Sequence, residues 1–352
     1  LIDQNAQQIR EILEDRDENG NFLDRIVLEH HSNLTPEEET RRQGLLSENW
    51  DAPIVLTTQV QFLETLFGSG TRGVRRMHQL ANAVIIFDEV QTIPIRCVHL
   101  FNVALRFLTQ GCGSSAILCT ATQPLLDKIY SSHHALIIKP EQKIIQNEEA
   151  LYDALRRTRV YDRRKIEGWS DDEITSLVEQ ELSANGSVLI IVNTRKSARS
   201  LYKNIEAKKI APVYHLSTNM CPAHRLIVLD TIKSMLGKQP VICVSTQLIE
   251  AGVDIDFGST IRFLAGLDSI AQAAGRCNRN GLRANGNVWI INPQEEKINN
   301  LPDILKGREI AERVLDEFDQ EPKSFDNDIL GLKAMEEYYK YYFYQRKDEM
   351  SY

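Results

Sequence analysis

Short apolar runs alternate with amphipathic or polar segments over the first part of the chain. Four of these runs predict β-strands, at residues 26–28, 54–57, 83–87 and 115–118. Between them lie segments with the apolar spacing of helices, such as 4–13 and 98–108. Short apolar strands that alternate with helices are typical of parallel α/β sheets, because each crossover helix covers one face of the sheet. We therefore predict one α/β lobe over residues 1–140.

The same alternation resumes after a polar, strongly charged stretch at residues 141–172, which we interpret as a linker. Four further apolar runs predict strands, at residues 188–192, 241–244, 260–264 and 288–291. With helices near 196–207 and 223–236, they predict a second lobe over residues 173–295. Beyond it, residues 296–352 have helical character. The predicted fold class is α/β, with two parallel-sheet lobes and a helical C-terminal extension.

The apolar run at residues 83–87 stops abruptly at the acidic pair Asp88 and Glu89. The run is apolar on both faces, which predicts a strand buried in the middle of a parallel sheet. Such a strand delivers the next residues to the carboxyl edge of the sheet, where ligands of open α/β folds bind. There Asp88 could hold Mg²⁺ on the phosphates of ATP, and Glu89 could polarise the attacking water. A helix cap or an exposed turn is the alternative interpretation of such a pair.

Three more segments carry polar or charged side chains where strands are predicted to end. They are residues 119–124 (Cys-Thr-Ala-Thr-Gln-Pro), 245–256 (Ser-Thr-Gln-Leu-Ile-Glu-Ala-Gly-Val-Asp-Ile-Asp) and 272–279 (Gln-Ala-Ala-Gly-Arg-Cys-Asn-Arg). In the last segment Arg276 and Arg279 are three residues apart, so on a helix both would point the same way. In this order and spacing, the acidic pair and the three segments resemble motifs II, III, V and VI of superfamily 2 helicases.

Within that superfamily, the details resemble the helicase portion of the CRISPR-associated helicase–nuclease of type I systems. The resemblance is carried by residues 57–62, 88–91, 120–124, 250–256 and 276–281. It extends over residues 1–295 and leaves the subtype open. It implies that the two lobes are RecA-like and face a shared cleft. Other superfamily 2 motors, such as RNA helicases and restriction-system translocases, share these motifs and remain alternatives.

The resemblance also implies roles at a nucleotide site. It places ATP between the lobes, with Mg²⁺ held by Asp88 and the water activated by Glu89. Arg276 and Arg279 would act as arginine fingers, which neutralise the charge that develops on the γ-phosphate. The remaining residues of the second lobe at this site would be Gln272, Gly252 and Asp254.

A second set of positions resembles those that contact the DNA backbone in the family. They are Thr57, Thr58, Thr194, Arg195, Thr246 and Gln247. Hydroxyl and amide groups can hold phosphate without reading bases, which suits a protein that binds any sequence. For single threonines, local capping of a helix or a turn is the alternative interpretation.

The same resemblance implies movement along one DNA strand, driven by closure and opening of the cleft with each ATP. Thr120 and Thr122 would couple the nucleotide site to the DNA, and 3′ to 5′ polarity is implied. The implied partners are single-stranded DNA and the CRISPR RNA-guided surveillance complex.

Two elements of the family do not occur in this sequence. The Walker A loop ends in Gly-Lys-Thr or Gly-Lys-Ser, whereas the only Gly-Lys pair here, Gly237-Lys238, is followed by Gln239. None of the eight histidines precedes an aspartate, as the HD nuclease domain would require. The chain also begins at Leu1, so we expect a piece with a first lobe truncated at its N-terminus, inactive on its own. A non-catalytic interaction fragment is the alternative interpretation.

Composition changes this picture little. A chain of 352 residues that is 42% hydrophobic exceeds the usual size of one domain, in line with two lobes. No run of about twenty apolar residues and no signal peptide occurs, which predicts a cytoplasmic protein without a membrane partner. The six cysteines form no C-x-x-C pair, so we expect reduced thiols rather than zinc sites or disulfides.

Charge and aromatic residues add two candidate surfaces. The net charge of −8 argues mildly against indiscriminate nucleic-acid binding. Arginine clusters at residues 72–76 and 156–165 could nevertheless track phosphates, or they could be solvated surface. Aromatic residues at 338–344 could stack on bases, although packing of a helix against its neighbours is the preferred interpretation.

Overall fold

The computed structural model describes residues 2–17, 22, 26–31, 46–120, 125–129, 132–250 and 252–351. The chain divides into two compact units. Unit 1 comprises Leu1–Ile138 with Phe343–Tyr352, and unit 2 comprises Lys139–Tyr342. The strands described pair in parallel in every sheet, which confirms the predicted α/β class with parallel sheets.

In the described residues of unit 1, four strands form two separate parallel sheets of two strands each. β1 (Val27–His30) pairs with β2 (Ile54–Thr57), and β3 (Val84–Phe87) pairs with β4 (Ser115–Leu118). The helices of this unit include Ile2–Leu13, Gln59–Phe67, Thr71–Met77 and Val98–Arg106. The four strands predicted in this part of the chain are therefore all present.

The strand β3 is not buried on both faces as predicted. Val84 and Ile86 are 68% and 63% exposed, whereas Phe87 is 5% exposed. The ring of Phe87 meets Phe62 and Phe101 edge to face, with centroid distances of 5.0 and 4.8 Å. Side chains alternate across a strand, so the described residues cover the face of Phe87 and leave the other face open. A continuous apolar run was therefore an unreliable sign of two-sided burial here.

Unit 2 is built on a six-stranded parallel sheet with the order β5-β10-β9-β6-β8-β7. The strands are β5 (Thr158–Asp162), β6 (Ser187–Ile191), β7 (Val213–Leu216), β8 (Val241–Ser245), β9 (Ser259–Phe263) and β10 (Gly286–Ile291). The helices before the C-terminal extension include Glu148–Ala154, Asp171–Asn185, Arg195–Lys208, Pro222–Met235 and Leu267–Ala274. Every residue of β6, β8 and β9 is buried.

The apolar side chains of β6 alternate between the two faces of this sheet. Val188 and Ile190 pack in a core with the helix before β6, whereas Leu189 and Ile191 pack in a second core with the helix before β8. All four side chains are fully buried. Burial on both faces explains why this strand is continuously apolar.

The segment predicted as a linker, residues 141–172, belongs in part to this sheet. It contains the helix Glu148–Ala154 and the strand β5, which pairs with β10 at the edge of the sheet. The sequence of β5 is Thr-Arg-Val-Tyr-Asp, and an edge strand tolerates such charged residues because it has one neighbour and an open side. Without a continuous apolar run, the strand was missed in the sequence.

The predicted helical C-terminal extension is present as the helices Pro302–Gln320 and Leu332–Gln345. Tyr338 and Tyr339 are 2% and 3% exposed, and the Tyr338 hydroxyl donates a hydrogen bond of 2.9 Å to Asp268. These two aromatic residues pack inside the protein, as the packing interpretation predicts. Across the described ranges, no helix combines the length and the apolar character that crossing a bilayer requires.

Candidate functional site

The acidic pair follows β3 directly and so lies at the carboxyl edge of its sheet. Asp88 is exposed, and its Oδ1 accepts a hydrogen bond of 3.1 Å from the backbone N–H of Glu89. Glu89 has a φ of 51°, in the left-handed region that residues with a side chain rarely adopt. The backbone therefore turns sharply after the strand, and the Asp88 carboxylate remains accessible to a cation.

Gln91 connects the acidic pair to the loop that follows β4. Its Nε2 donates a hydrogen bond of 2.5 Å to Glu89 Oε2, and its Oε1 accepts one of 2.6 Å from the Thr120 hydroxyl. The backbone N–H of Val90 donates to the Cys119 carbonyl at 3.2 Å and joins the same two loops. The predicted motif at residues 88–91 includes Gln91, but no role was predicted for this side chain. Thr122, the second predicted coupling residue, lies outside the described residues.

The Asp88 carboxylate suits Mg²⁺, which prefers oxygen ligands and usually takes one or two carboxylates together with phosphate and water oxygens. No group of three or more His, Cys, Asp or Glu side chains that could hold a metal ion occurs in the portions of the chain described.

In unit 2, the segment after β8 carries the predicted residues of motif V. Thr246 is 8% exposed, and its backbone N–H donates to the Leu216 carbonyl at 3.1 Å. Gln247 is half-buried and begins a single 3₁₀ turn, Gln247–Ile249. Gly252 has a φ of 74°, a conformation that favours glycine. The backbone conformation at Gly252 thus explains the glycine of this motif.

Arg279 is held by two aspartates of motif V. Its Nε donates a hydrogen bond of 2.9 Å to Asp254 Oδ1. Asp256 accepts hydrogen bonds from the backbone N–H groups of Arg279 and Asn280, at 2.8 and 3.1 Å. The side chains of Arg279 and Asp254 are 42% and 71% exposed, so both remain open to solvent. The structure thereby brings the predicted residues of motifs V and VI together.

Arg276 has a different environment from Arg279. It is 7% exposed, and its guanidinium donates to the Glu250 carbonyl through Nε at 3.2 Å and Nη2 at 2.6 Å. The helix that carries the half-buried Gln272 ends at Ala274, so the predicted helical spacing of the two arginines is wrong. Because Arg276 is buried and Arg279 is exposed, the two side chains cannot contact a ligand in the same way.

The predicted DNA-contacting threonines make hydrogen bonds within their own units. In unit 1, the Thr57 hydroxyl donates to the His30 carbonyl at 2.8 Å, and Thr58 caps the helix Gln59–Phe67. In unit 2, Thr194 caps the helix Arg195–Lys208. The contacts of Thr58 and Thr194 agree with the capping interpretation, whereas the Thr57 hydroxyl bonds across from β2 to the neighbouring strand β1.

Arg195, the next predicted residue, is exposed, and its Nη1 donates to Asn219 Oδ1 at 2.5 Å. Its position at the first turn of the helix places a positive charge beside the backbone N–H groups that a helix N-terminus presents. The surroundings of Arg195 therefore suit an anion such as phosphate.

Two buried charged residues, Glu250 within motif V and Arg262 on β9, were given no role in the sequence analysis. Arg262 on β9 is fully buried, and its Nε lies 2.7 Å from Oε1 of Glu250. Burial raises the pKa of Glu250 to about 7, an effect that the charge of Arg262 opposes. The signal was available, because an arginine interrupts the apolar run at residues 260–264.

Comparison with known proteins agrees with these motifs. Residues 184–282 match the family model described as CRISPR-associated nuclease/helicase Cas3, C-terminal. The Cas3 of Haloferax volcanii is 24% identical, in an alignment that covers 74% of this chain and 37% of that protein. This chain is similar to Cas3 nuclease/helicases, and the family-model match lies in their C-terminal part. The predicted resemblance is thereby confirmed.

The fold of this chain is also similar to that of a solved Cas3 structure. The crystal structure of T. fusca Cas3 with ADP has a TM-score of 0.67 and 17% identity, and the match covers 99% of this chain and 47% of that chain. A match to Streptococcus thermophilus Cas3 has 23% identity and covers 65% of this chain and 27% of that protein. This chain thus spans less than half the length of the Cas3 proteins that it matches.

Proposed function

We propose that this chain is the motor portion of a CRISPR-associated helicase, which uses ATP hydrolysis to move along single-stranded DNA. One observation carries the proposal: hydrogen bonds run from Glu89 through Gln91 to Thr120. They connect a candidate catalytic carboxylate after one strand with a hydroxyl after the neighbouring strand. Such a connection is what a hydrolysis site needs if its state is to be communicated to a second site.

The roles of the acidic pair follow from their exposure and bonding. Asp88 would hold Mg²⁺, which neutralises phosphate charge when it is bound. Glu89 would accept a proton from the attacking water or orient it. Gln91 holds Oε2 of Glu89, and no described residue donates a hydrogen bond to Oε1, which leaves that oxygen for the water.

The two arginines would serve the nucleotide in different ways. The pair between Arg279 and Asp254 is exposed on both sides, and exposed ion pairs are weak. Arg279 can therefore exchange the carboxylate for a phosphate oxygen at little cost. Arg276 is buried against the Glu250 carbonyl, so its position would be set by Glu250. Gln272 and Gly252 complete the residues that we assign to the nucleotide.

The DNA backbone would bind in unit 1 where β2 ends, and in unit 2 where β6 and β8 end. The residues that we assign to this contact are Thr57, Thr58, Thr194, Arg195, Thr246 and Gln247. Hydroxyl groups, one arginine and helix N-termini bind phosphate without reading bases. By relation to Cas3, we propose a role in antiviral defence in the cytoplasm, together with a CRISPR RNA-guided surveillance complex.

The proposal is tested with Glu89→Gln in the natural full-length protein. We expect ATP turnover stimulated by single-stranded DNA to fall at least about a hundredfold, because the water loses its base. ATP binding should persist, since the phosphate contacts are kept. A matched control is Glu48→Gln, which removes an exposed carboxylate paired with Arg75 in the same unit.

Turnover of the Glu89→Gln protein within about threefold of the unaltered protein would contradict the proposal. Comparison of DNA with RNA separates the nearest alternative. Stimulation of ATP turnover by single-stranded RNA but not DNA would indicate an RNA helicase of the same superfamily instead.

A further inference from the structure

A charged side chain lies inside the six-stranded sheet of unit 2. Arg262 is on β9, between β10 and β6, and is 0% exposed. Its partner Glu250 is 4% exposed, and the Nε and Oε1 atoms are 2.7 Å apart. The contact is therefore a buried ion pair. Removal of two charges from water is costly, and the pair therefore requires an explanation.

Stability alone does not explain this pair. Nη1 of Arg262 donates to Asn193 Oδ1 at 2.7 Å and to the Phe263 carbonyl at 2.6 Å. Nη2 has no hydrogen-bond partner within the described part of the chain. Apolar side chains of similar volume often replace such pairs without loss of stability. A role in positioning other groups accounts for the buried charges better.

Glu250 connects the pair to an arginine of the nucleotide site. Its side chain contacts Arg262, and its backbone carbonyl accepts both hydrogen bonds from the guanidinium of Arg276. Any displacement of Glu250 therefore moves the acceptor that holds Arg276. Because Arg276 is 7% exposed, its close-packed surroundings leave it little room to compensate.

Asn193 connects the pair to a residue that we assign to DNA. Its Nδ2 donates to Glu296 Oε2 at 2.8 Å. The other oxygen of Glu296 accepts hydrogen bonds from the backbone N–H groups of Asn193 and Thr194, at 2.9 and 3.1 Å. A continuous series of polar contacts thus joins Thr194 to Arg276 through the interior of unit 2.

We propose that Arg262 and Glu250 are positioning residues that couple DNA contact at Thr194 to the placement of Arg276. This inference rests on the proposed function. When phosphate binds at the helix N-terminus, the Thr194 backbone shifts against Glu296, and the series of contacts carries the shift to the Glu250 carbonyl. A polar chain in a close-packed interior transmits displacement because each group is held on both sides.

The test removes both charges together, because one unpaired buried charge would destabilise the fold. Arg262→Met combined with Glu250→Gln keeps approximate volume and removes both charges of this pair. In the natural full-length protein, we expect the stimulation of ATP turnover by single-stranded DNA to fall about tenfold, a typical size for coupling between sites. The turnover without DNA and the KM for ATP should change less than the stimulation does.

The matched control is Arg164→Met combined with Asp162→Asn. This pair, with a 2.7 Å contact, belongs to β5 and its following loop at the edge of the same sheet. Neither residue of this pair belongs to the series of polar contacts that joins Thr194 to Arg276, so stimulation by DNA should be unchanged. An equal loss in this control would overturn the inference, because any lost ion pair would then have the same effect.

Two outcomes separate this inference from the proposed function. If Glu89→Gln abolishes turnover but the double variant keeps full stimulation, the positioning role is wrong and the proposed function stands. If Glu89→Gln leaves turnover intact, the proposed function itself is wrong.

Hydrogen exchange provides a readout that does not depend on turnover. We expect the Thr194 amide and the amides at residues 276–280 to exchange at least about tenfold faster in the double variant. The amides of β7 should be unaffected. Unchanged exchange at residues 194 and 276–280 would overturn the inference whatever the enzymatic result.

Discussion

The Thr120 hydroxyl donates a hydrogen bond of 2.6 Å to the side-chain carbonyl of Gln91. This contact crosses from the loop after β4 to the loop after β3 and is continued to Glu89 by the amide of the same glutamine. Gln91 can make both bonds because an amide both donates and accepts. A displacement of the loop after β3 is therefore transmitted through Gln91 to the loop after β4, and the reverse also holds.

Thr120→Val should uncouple DNA from ATP hydrolysis. Valine keeps the shape of threonine but cannot donate to Gln91, so we expect stimulation by single-stranded DNA to fall about fivefold to tenfold. Steady-state ATP turnover with and without DNA measures the effect. Thr109→Val is the control, because that hydroxyl bonds only the Leu105 carbonyl of its own helical segment. Equal stimulation in all three proteins would show that the contact carries no coupling.

Arg279→Ala should lower ATP turnover roughly a thousandfold or more, the usual effect of loss of an arginine finger. DNA affinity should change far less. Turnover at saturating ATP and a DNA-binding titration separate the two effects. Arg313→Ala serves as the control, since Arg313 forms a comparable exposed pair with Glu317 at 2.9 Å. Loss of DNA affinity with normal turnover would place Arg279 at the DNA instead.

Substitutions of Thr58 can separate its capping role from a DNA contact. Thr58→Ala should destabilise unit 1 by about 1 kcal/mol, because the helix Gln59–Phe67 loses its cap. Thr58→Asp keeps a good cap but adds a negative charge, so unit 1 should stay stable while DNA binds about tenfold more weakly. Denaturant unfolding and DNA titration measure these quantities. Unaltered DNA affinity in Thr58→Asp would assign Thr58 to capping alone.

The stability of unit 2 should fall as the pH rises toward neutrality. Burial raises the pKa of Glu250 from 4.5 to about 7, and Asp268 adds to this rise whereas Arg262 opposes it. The folded protein therefore binds this proton more tightly than the unfolded chain does. The stabilisation is complete below about pH 4.5 and is lost as the pH rises through about 7.

Glu250→Gln should flatten that dependence, because the amide does not titrate. Denaturant unfolding between about pH 5 and about pH 7.5 measures the slope in both proteins. Burial also raises the pKa of Asp268, so a smaller slope of the same sign should remain. Identical slopes in the two proteins would show that Glu250 does not titrate in this range.

The sequence was most informative where strands are buried on both faces. β6, β8 and β9 are fully buried, and their apolar runs predicted them directly. β5 was missed because an edge strand with one neighbour needs no such run. Burial on one side, as in β3, depends on what covers a strand, and local sequence does not record that.

At the candidate site, the sequence located residues but not their contacts. The acidic pair and Arg279 were found because each stands in a short local pattern. The helical spacing of Arg276 and Arg279 was wrong, and Gly275 after Ala274 was an available sign that the helix stops there. The bonds between Gln91 and Thr120 and between Glu250 and Arg262 join separate segments, so only the folded chain shows them.

At position 89, the left-handed backbone favours one residue type for stability, whereas catalysis favours another. Glycine or asparagine adopts a φ of 51° more readily than glutamate, and the difference is about 1 kcal/mol. Either substitution would relieve strain, but it would remove the carboxylate that we assign to the attacking water. A library selected for thermal stability alone should drift away from glutamate at this position, whereas a library selected for turnover should keep it. The residue frequencies at position 89 would then show whether a library was selected for stability or for turnover.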